Sequence, residues 1–230
     1  MVLGVLIPTG FGDFRPEGEL VGWEERLDDY YHKELEGGPL KAHMPRASSY
    51  HSRVLWKFLR ELGSLTPDSL RVERPLPHEW PEEYRTAKTH DKLGSLIEID
   101  GFLAVEDHLK ALIEEIEPGL HDFRPIRITM PRGKDYPVPY HVLLIGQFRD
   151  SFRPELTTEG TWNGKLDYPR VHDTKAGLAG AAMSTEAIGG AHLWRERKLV
   201  EPKICFSDEL QDAIAKAGLR MMKHYKMKSV

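Results

Sequence analysis

The stretch "KICFSDELQDAIAKAGLRMMKHYKMK", Lys203 to Lys228, decides the reading of this chain. Ile204–Phe206 is apolar and of strand length. Ser207 is a good helix N-cap, and Asp208 and Glu209 suit the positive end of a helix dipole. Leu210, Ala213, Ile214 and Ala217 recur at i, i+3, i+4, i+7, one face of a short helix. Lys216 and Gly218 mark its end, and Tyr225 and Met227 then alternate as a strand does. The whole reads as strand, helix, strand.

About a hundred residues earlier, "GFLAVEDHLKALIEEIEPGLHDFRPIRIT" (Gly101–Thr129) has the same layout. With Asp107 placed on Asp208, Leu109, Leu112, Ile113 and Ile116 fall on Leu210, Ala213, Ile214 and Ala217. Phe102–Val105 falls on Lys203–Phe206, and Ile126 and Ile128 on Tyr225 and Met227. The caps differ, because Glu106 stands where the second unit has Ser207 and is the poorer cap. Few residues are identical, so the shared register reads as reuse of a packing unit.

The rest of the chain is less regular. Met1–Ile7 is a candidate buried strand closed by Pro8 and Gly10. Leu20, Trp23, Leu27, Tyr30, Tyr31 and Leu35 have helical spacing, and Gly37-Gly38 stops the run. In "SSYHSRVLWKFLREL", Val54, Leu55, Phe58, Leu59 and Leu62 form a stripe, with Arg53, Lys57, Arg60 and Glu61 facing elsewhere, Ser48 or Ser49 as cap and Gly63 as stop. Residues 64–92 are Pro-rich and irregular, and Leu76, Trp80 and Tyr84 favour a wrapping loop. "YHVLLIGQF" (Tyr140–Phe148) has strand length, and the Gly/Ala-rich Ala176–Ala191 suits tight packing or a mobile loop. Strands and short helices alternate without a long βαβ rhythm, so the expected class is α+β, with mixed sheets, two similar strand–helix–strand units and a helical N-terminal part. The expected organisation is one compact domain, 1–230, with a variable, partly helical part over 1–90 and a core over 91–230.

With 230 residues, 40% hydrophobic and 30% charged, the composition is that of a globular protein. A net charge of −4 and a pI near 6.3 argue against a dedicated nucleic-acid binder. Cys205 is the single cysteine, which excludes an intrachain disulfide and a Cys-rich zinc site. The opening "MVLGVLIPTG" lacks the basic start and the length of a secretion signal. No run reaches the length of a membrane helix. The expected location is cytoplasmic, with no membrane partner.

The eleven histidines are the first candidates for chemistry. His90-Asp91, His121-Asp122 and His172-Asp173 are the pairing that metal-dependent phosphohydrolases use. None sits mid-helix with a further His at i+4, so they read as turn residues, with a metal-dependent hydrolase as the alternative function. Gly10-x-Gly12 follows a strand, but Arg15 stands where a dinucleotide fingerprint needs its third glycine. No phosphate loop or nucleophile elbow is present. Cys205, between Ile204 and Phe206, reads as a buried, inert thiol. Arg220, Lys223, Lys226 and Lys228 read as charges that protect an edge strand. Glu24, Glu25, Asp28, Asp29, Glu34 and Glu36 read as a solvated acidic face.

Glu117-Pro118-Gly119-x-His121-x-Phe123-x-Pro125, the Trp194-Arg195 pair, and Ser207-Asp208-Glu209-Leu210 with Ala217-Gly218-Leu219 carry a family resemblance. In order and spacing, residues 95–228 resemble immunity protein family eleven of bacterial polymorphic toxin systems, including those of type VI secretion. Arg220-Met221, where the family commonly has a Thr-Gly step, and Glu106 in place of a Ser cap are departures. The resemblance implies a cytoplasmic, non-enzymatic protein that binds and occludes a toxin encoded nearby, with no catalytic residue, cofactor or metal. It leaves the partner-binding residues unknown; Trp23, Trp56, Trp194 and the acidic N-terminal helix are conceivable contacts.

Overall fold

The computed structural model describes residues 1–66, 69–163 and 169–230; parts of the Pro-rich 64–92 segment and of the loop before the Gly/Ala-rich stretch therefore lie outside the described residues. The chain begins with β1 (Val2–Val5), β2 (Gly18–Leu20) and α1 (Trp23–Tyr30), which continues into a π-helical turn over Tyr31–Leu35; α2 (Ala47–Leu59) and β3 (Glu83–Thr86) follow. The first unit is β4 (Leu96–Ile99), β5 (Phe102–Glu106), α3 (Asp107–Ile116), β6 (Asp122–Met130), a short β7 (Lys134–Asp135) and β8 (Tyr140–Leu144). Next come β9 (Phe148–Arg149), α4 (Lys175–Gly180), β10 (Ala182–Met183) and α5 (Thr185–Ile188). The second unit is β11 (Leu193–Glu196), β12 (Ile204–Ser207), α6 (Asp208–Lys216) and β13 (His224–Lys226), and β14 (Lys228–Ser229) ends the described elements. The class is α+β, as the alternation of strands and short helices implies.

Two mixed sheets carry the two units. One runs β2-β3-β6-β8-β5-β4, with β7 paired to β6, and the other runs β13-β1-β12-β11-β9. In the first, β8 lies antiparallel between β5 and β6; in the second, β1 lies antiparallel between β12 and β13. Each helix thus links two parallel strands across an inserted antiparallel one. In the first unit the inserted strand follows the helix in sequence. In the second it is the start of the chain.

The register repeats as well. Arg124, Val142, Ala104 and Ile97 lie across one sheet, and Tyr225, Gly4, Cys205 and Trp194 across the other. The backbone N–H of Glu106 donates to Ser95 O, and that of Ser207 to His192 O, at 3.0 Å each. The connections differ. β4 and β5 are joined by the two-residue turn Asp100-Gly101, both at positive φ (48° and 91°), the conformation that closes tight hairpins. β11 and β12 are joined by the longer segment 197–203.

Strand alternation sorts the side chains into three apolar cores. The central core is shared: Leu109 and Ile113 of α3 and Leu210 and Ile214 of α6 meet Leu103, Val105, Leu143, Leu3, Ile204 and Phe206 from the inner faces of both sheets. Behind the first sheet, Ile97, Ala104 and Val142 pack under α1 and α2, against Trp23, Leu27, Val54 and Phe58. Behind the second, Val2, Trp194 and Cys205 pack against Leu178, Ala181, Met183 and Ile188 from the Gly/Ala-rich segment. That segment packs tightly, as one of its two readings allows.

Several local expectations need correcting. The N-cap of α2 is Arg46, without a side-chain cap; Ser48 and Ser49 lie inside the first turn. Its buried face is Tyr50, Arg53, Val54, Lys57 and Phe58, rotated toward the polar residues expected outside, while Leu62 is exposed. Lys57 is drawn in by Glu79, whose Oε1 and Oε2 accept from its Nζ at 2.6 and 2.7 Å, and Arg53 donates to Arg71 O at 3.0 Å. In α6, Ala217 is an exposed C-cap rather than part of the inward face. The caps of the units differ as read: Ser207 Oγ accepts from Leu210 N, whereas Glu106 makes no side-chain cap. The lysine-bearing β13 is an edge strand of its sheet, which suits the protective reading.

Candidate functional site

Buried charged groups are expensive unless hydrogen-bonded or paired, so each needs an account. Glu117 follows α3 in the Glu-Pro-Gly turn and is buried. Its Oε1 accepts from His192 N at 2.7 Å and Gln147 Nε2 at 2.5 Å, and its Oε2 from Leu193 N at 2.9 Å. His121 supplies a fourth donor. Gly146 N–H donates to His121 Nδ1 at 3.2 Å, so the ring's donor is Nε2–H, which faces Glu117 Oε2 at 3.0 Å. Burial opposes the charge on Glu117, but the hydrogen bonds from His121, His192 and Gln147 outweigh it and hold the carboxyl below its ordinary range. The first unit's helix end is thereby latched to the start of β11. The second unit returns the contact at the matching place: Ser95 N donates to Arg220 O at 2.7 Å, and Arg220 N to Ser95 Oγ at 3.0 Å.

Two further buried carboxylates are equally committed. Glu79 takes Lys57, Tyr50 Oη at 2.8 Å and Leu76 N at 2.6 Å, and so fastens the Pro-rich loop to α2. Glu196 takes Ser151 Oγ at 2.5 Å, Ser151 N at 2.9 Å and Lys198 N at 3.2 Å, while burial pushes its carboxyl up. These groups hold elements together and offer no free lone pair to a substrate.

The three His-Asp pairs are not brought together. His90 lies 3.8 Å from Asp13, His121 belongs to the Glu117 latch with Asp122 turned to Arg74, and Asp173 pairs with Lys203 while His172 is exposed. Among the described residues, no group of three or more His, Cys, Asp or Glu is placed to hold a metal ion. Gly12 and Arg15 close a simple turn, as read from the missing glycine. Cys205 is fully buried and its thiol is pushed up by that burial. Trp23 and Trp194 are core residues and are removed from the set of conceivable contacts; Trp56 is half-buried. On the acidic face, Asp28, Asp29 and Glu36 pair with His51, Lys33 and Lys41, leaving Glu24, Glu25 and Glu34 exposed without an ion pair among the described residues. No helix among the described residues is long and apolar enough to cross a membrane.

A concave site with unspent polar capacity is a cleft of about 490 Å³ between the N-terminal segment (Val5, Ile7, Pro8, Thr9, Arg15), the end of α2 (Trp56, Leu59) and residues from 195 to 204. Its cations are Arg15, Arg170, Arg195 and Lys203. Arg15 Nε lies 2.8 Å from Glu98 Oε2, Arg170 Nη2 lies 2.6 Å from Glu201 Oε1, and Lys203 pairs with Asp173. Arg195 has no carboxylate partner among the described residues. It occupies in β11 the register position that Glu98 occupies in β4, opposite Ile204 and Leu103 respectively. The sequence reading passed over it as a site residue. The available signal was a charge in a run of strand residues, at the inward-facing step after Leu193.

A sequence model described as an immunity protein family (Imm11) matches residues 26–229. The match begins within α1 and takes in all of α2, and so reaches well ahead of the 95–228 span that the motifs alone carried. No curated protein matches the chain.

Proposed function

The chain belongs to this immunity protein family, and on that premise we propose that it neutralises a cognate bacterial toxin, encoded nearby, by binding and occluding it in the cytoplasm without catalysing a reaction or using a cofactor. The observation that carries this reading is the family match over 26–229, nearly the whole chain. The committed state of Glu79, Glu117 and Glu196 supports it, because buried carboxylates saturated by donors serve architecture rather than turnover. The exposed Glu24, Glu25 and Glu34, without an ion pair among the described residues, supply a surface that steers a basic toxin face toward the complex. A toxin delivered by a type VI or another polymorphic system fits this role.

Co-expression tests it. The open reading frame beside this gene should arrest growth when expressed alone, and this chain should restore it. If the neighbour is toxic and this chain gives no protection, the proposal fails. The triple change Glu24→Lys, Glu25→Lys, Glu34→Lys should slow association with the toxin and weaken the dependence of that rate on salt.

A further inference from the structure

Arg195 is 3% exposed, yet it lines the cleft. Its Nη1 donates to Pro202 O at 3.3 Å, and its Nε has no hydrogen-bond partner among the described residues. Every other cation lining the cleft has a carboxylate beside it. Burial depresses the guanidinium to about 10. Behind two of the lining residues, Arg60 lies over the Trp56 ring at 4.8 Å and donates to Val200 O at 3.2 Å, with its own Nε lacking a hydrogen-bond partner among the described residues. Val5, Ile7, Pro8, Trp56, Leu59 and Val200 give the cleft apolar walls. A buried guanidinium lining a cleft of this volume with apolar walls matches a small molecule with an anionic head and an apolar body.

We propose that this cleft binds a small amphipathic anion, a carboxylate or phosphate monoester on an aromatic or aliphatic body, with Arg195 receiving the head group. A carboxylate on the short side chain of a docked protein would leave most of the volume unfilled, so a small molecule is the favoured occupant. The site is independent of toxin binding and is tested without a toxin.

The full chain is titrated by calorimetry with benzoate and with phenyl phosphate, and each is repeated as a thermal shift. Benzyl alcohol is the neutral counterpart and inorganic phosphate the bare anion. At least one of the two aryl anions should bind at one site and raise the melting temperature, and the stronger of them identifies the head group. Benzyl alcohol and inorganic phosphate should bind more weakly by about tenfold or more. Arg195→Met should lose the aryl anion by a similar factor, yet melt no lower than the parent without ligand, because it removes a buried charge that has no counter-ion among the described residues. Leu59→Trp, which keeps Arg195 and fills the cleft, should also lose binding. The proposal is overturned if neither aryl anion binds at millimolar concentration, if benzyl alcohol binds equally well, or if both variants retain the parent affinity.

Discussion

The two strand–helix–strand units have the same sheet order and register but different polar groups at equivalent places. Glu98 in one is Arg195 in the other, Glu106 is Ser207, and Ser95 is His192. The apolar positions hardly vary in role, since Leu103, Val105, Leu109 and Ile113 do what Ile204, Phe206, Leu210 and Ile214 do. Burial of one helix face on one sheet face tolerates many side chains of suitable size and so preserves the frame. Hydrogen bonds tolerate few, and the units part company there.

Breaking the latch at Glu117 should have the largest effect. Glu117→Ala leaves the backbone N–H groups of His192 and Leu193 and the side chains of Gln147 and His121 without this acceptor, and should cost about 3–5 kcal/mol in urea unfolding. A loss below about 1 kcal/mol would mean that the latch is ornamental. The same group sets a pH dependence. Its folded pKa is depressed, so its contribution is present above the unfolded value of about 4.5 and is lost as pH falls through the lower folded value. Glu117→Gln should therefore show a shallower loss of stability than the parent below about pH 4.5, measured as the difference between the two unfolding curves.

Smaller effects sharpen the comparison. Ser207→Ala removes a cap that also meets His192 Nδ1 at 2.9 Å, and should cost about 1–2 kcal/mol. Ser95→Ala, in the reciprocal latch, should cost about 1 kcal/mol, because Arg220 N loses its acceptor while the Ser95 backbone bond remains. Glu106→Ser gives the first unit the cap of the second and should gain about 0.5–1 kcal/mol. If Glu106→Ser destabilises instead, the two helix starts are not equivalent.

Local regularities made much of the frame legible. The i, i+3, i+4, i+7 stripes, the Ser207 cap and the glycine stops at Gly119 and Gly218, both at positive φ, are written within a few residues. What escaped depends on distant partners. The inner face of α2 includes Lys57 because Glu79 waits across the Pro-rich loop, and no helical window shows that. β4 was hidden because Glu98 interrupts an otherwise apolar run and finds Arg15 far back in the chain. β1 was readable as a strand, but not its place between β12 and β13, some two hundred residues away. Arg195 was visible only as half of a family motif; that it has no carboxylate partner among the described residues is a fact of the fold. The Glu117-Pro118-Gly119-x-His121 motif was legible as identity, whereas its physical work as an interunit latch depends on where the fold places β11.

The most direct test of the central claim is a stoichiometric titration. The purified neighbouring toxin, assayed for whatever activity stops growth, is mixed with increasing amounts of this chain, and the complex is weighed by light scattering. An occluding immunity protein should abolish activity at about one equivalent and form a complex that coelutes at the summed mass. Neutralisation by a small fraction of an equivalent, growing with incubation time and leaving no complex, would mean turnover of the toxin or its product and would contradict the account.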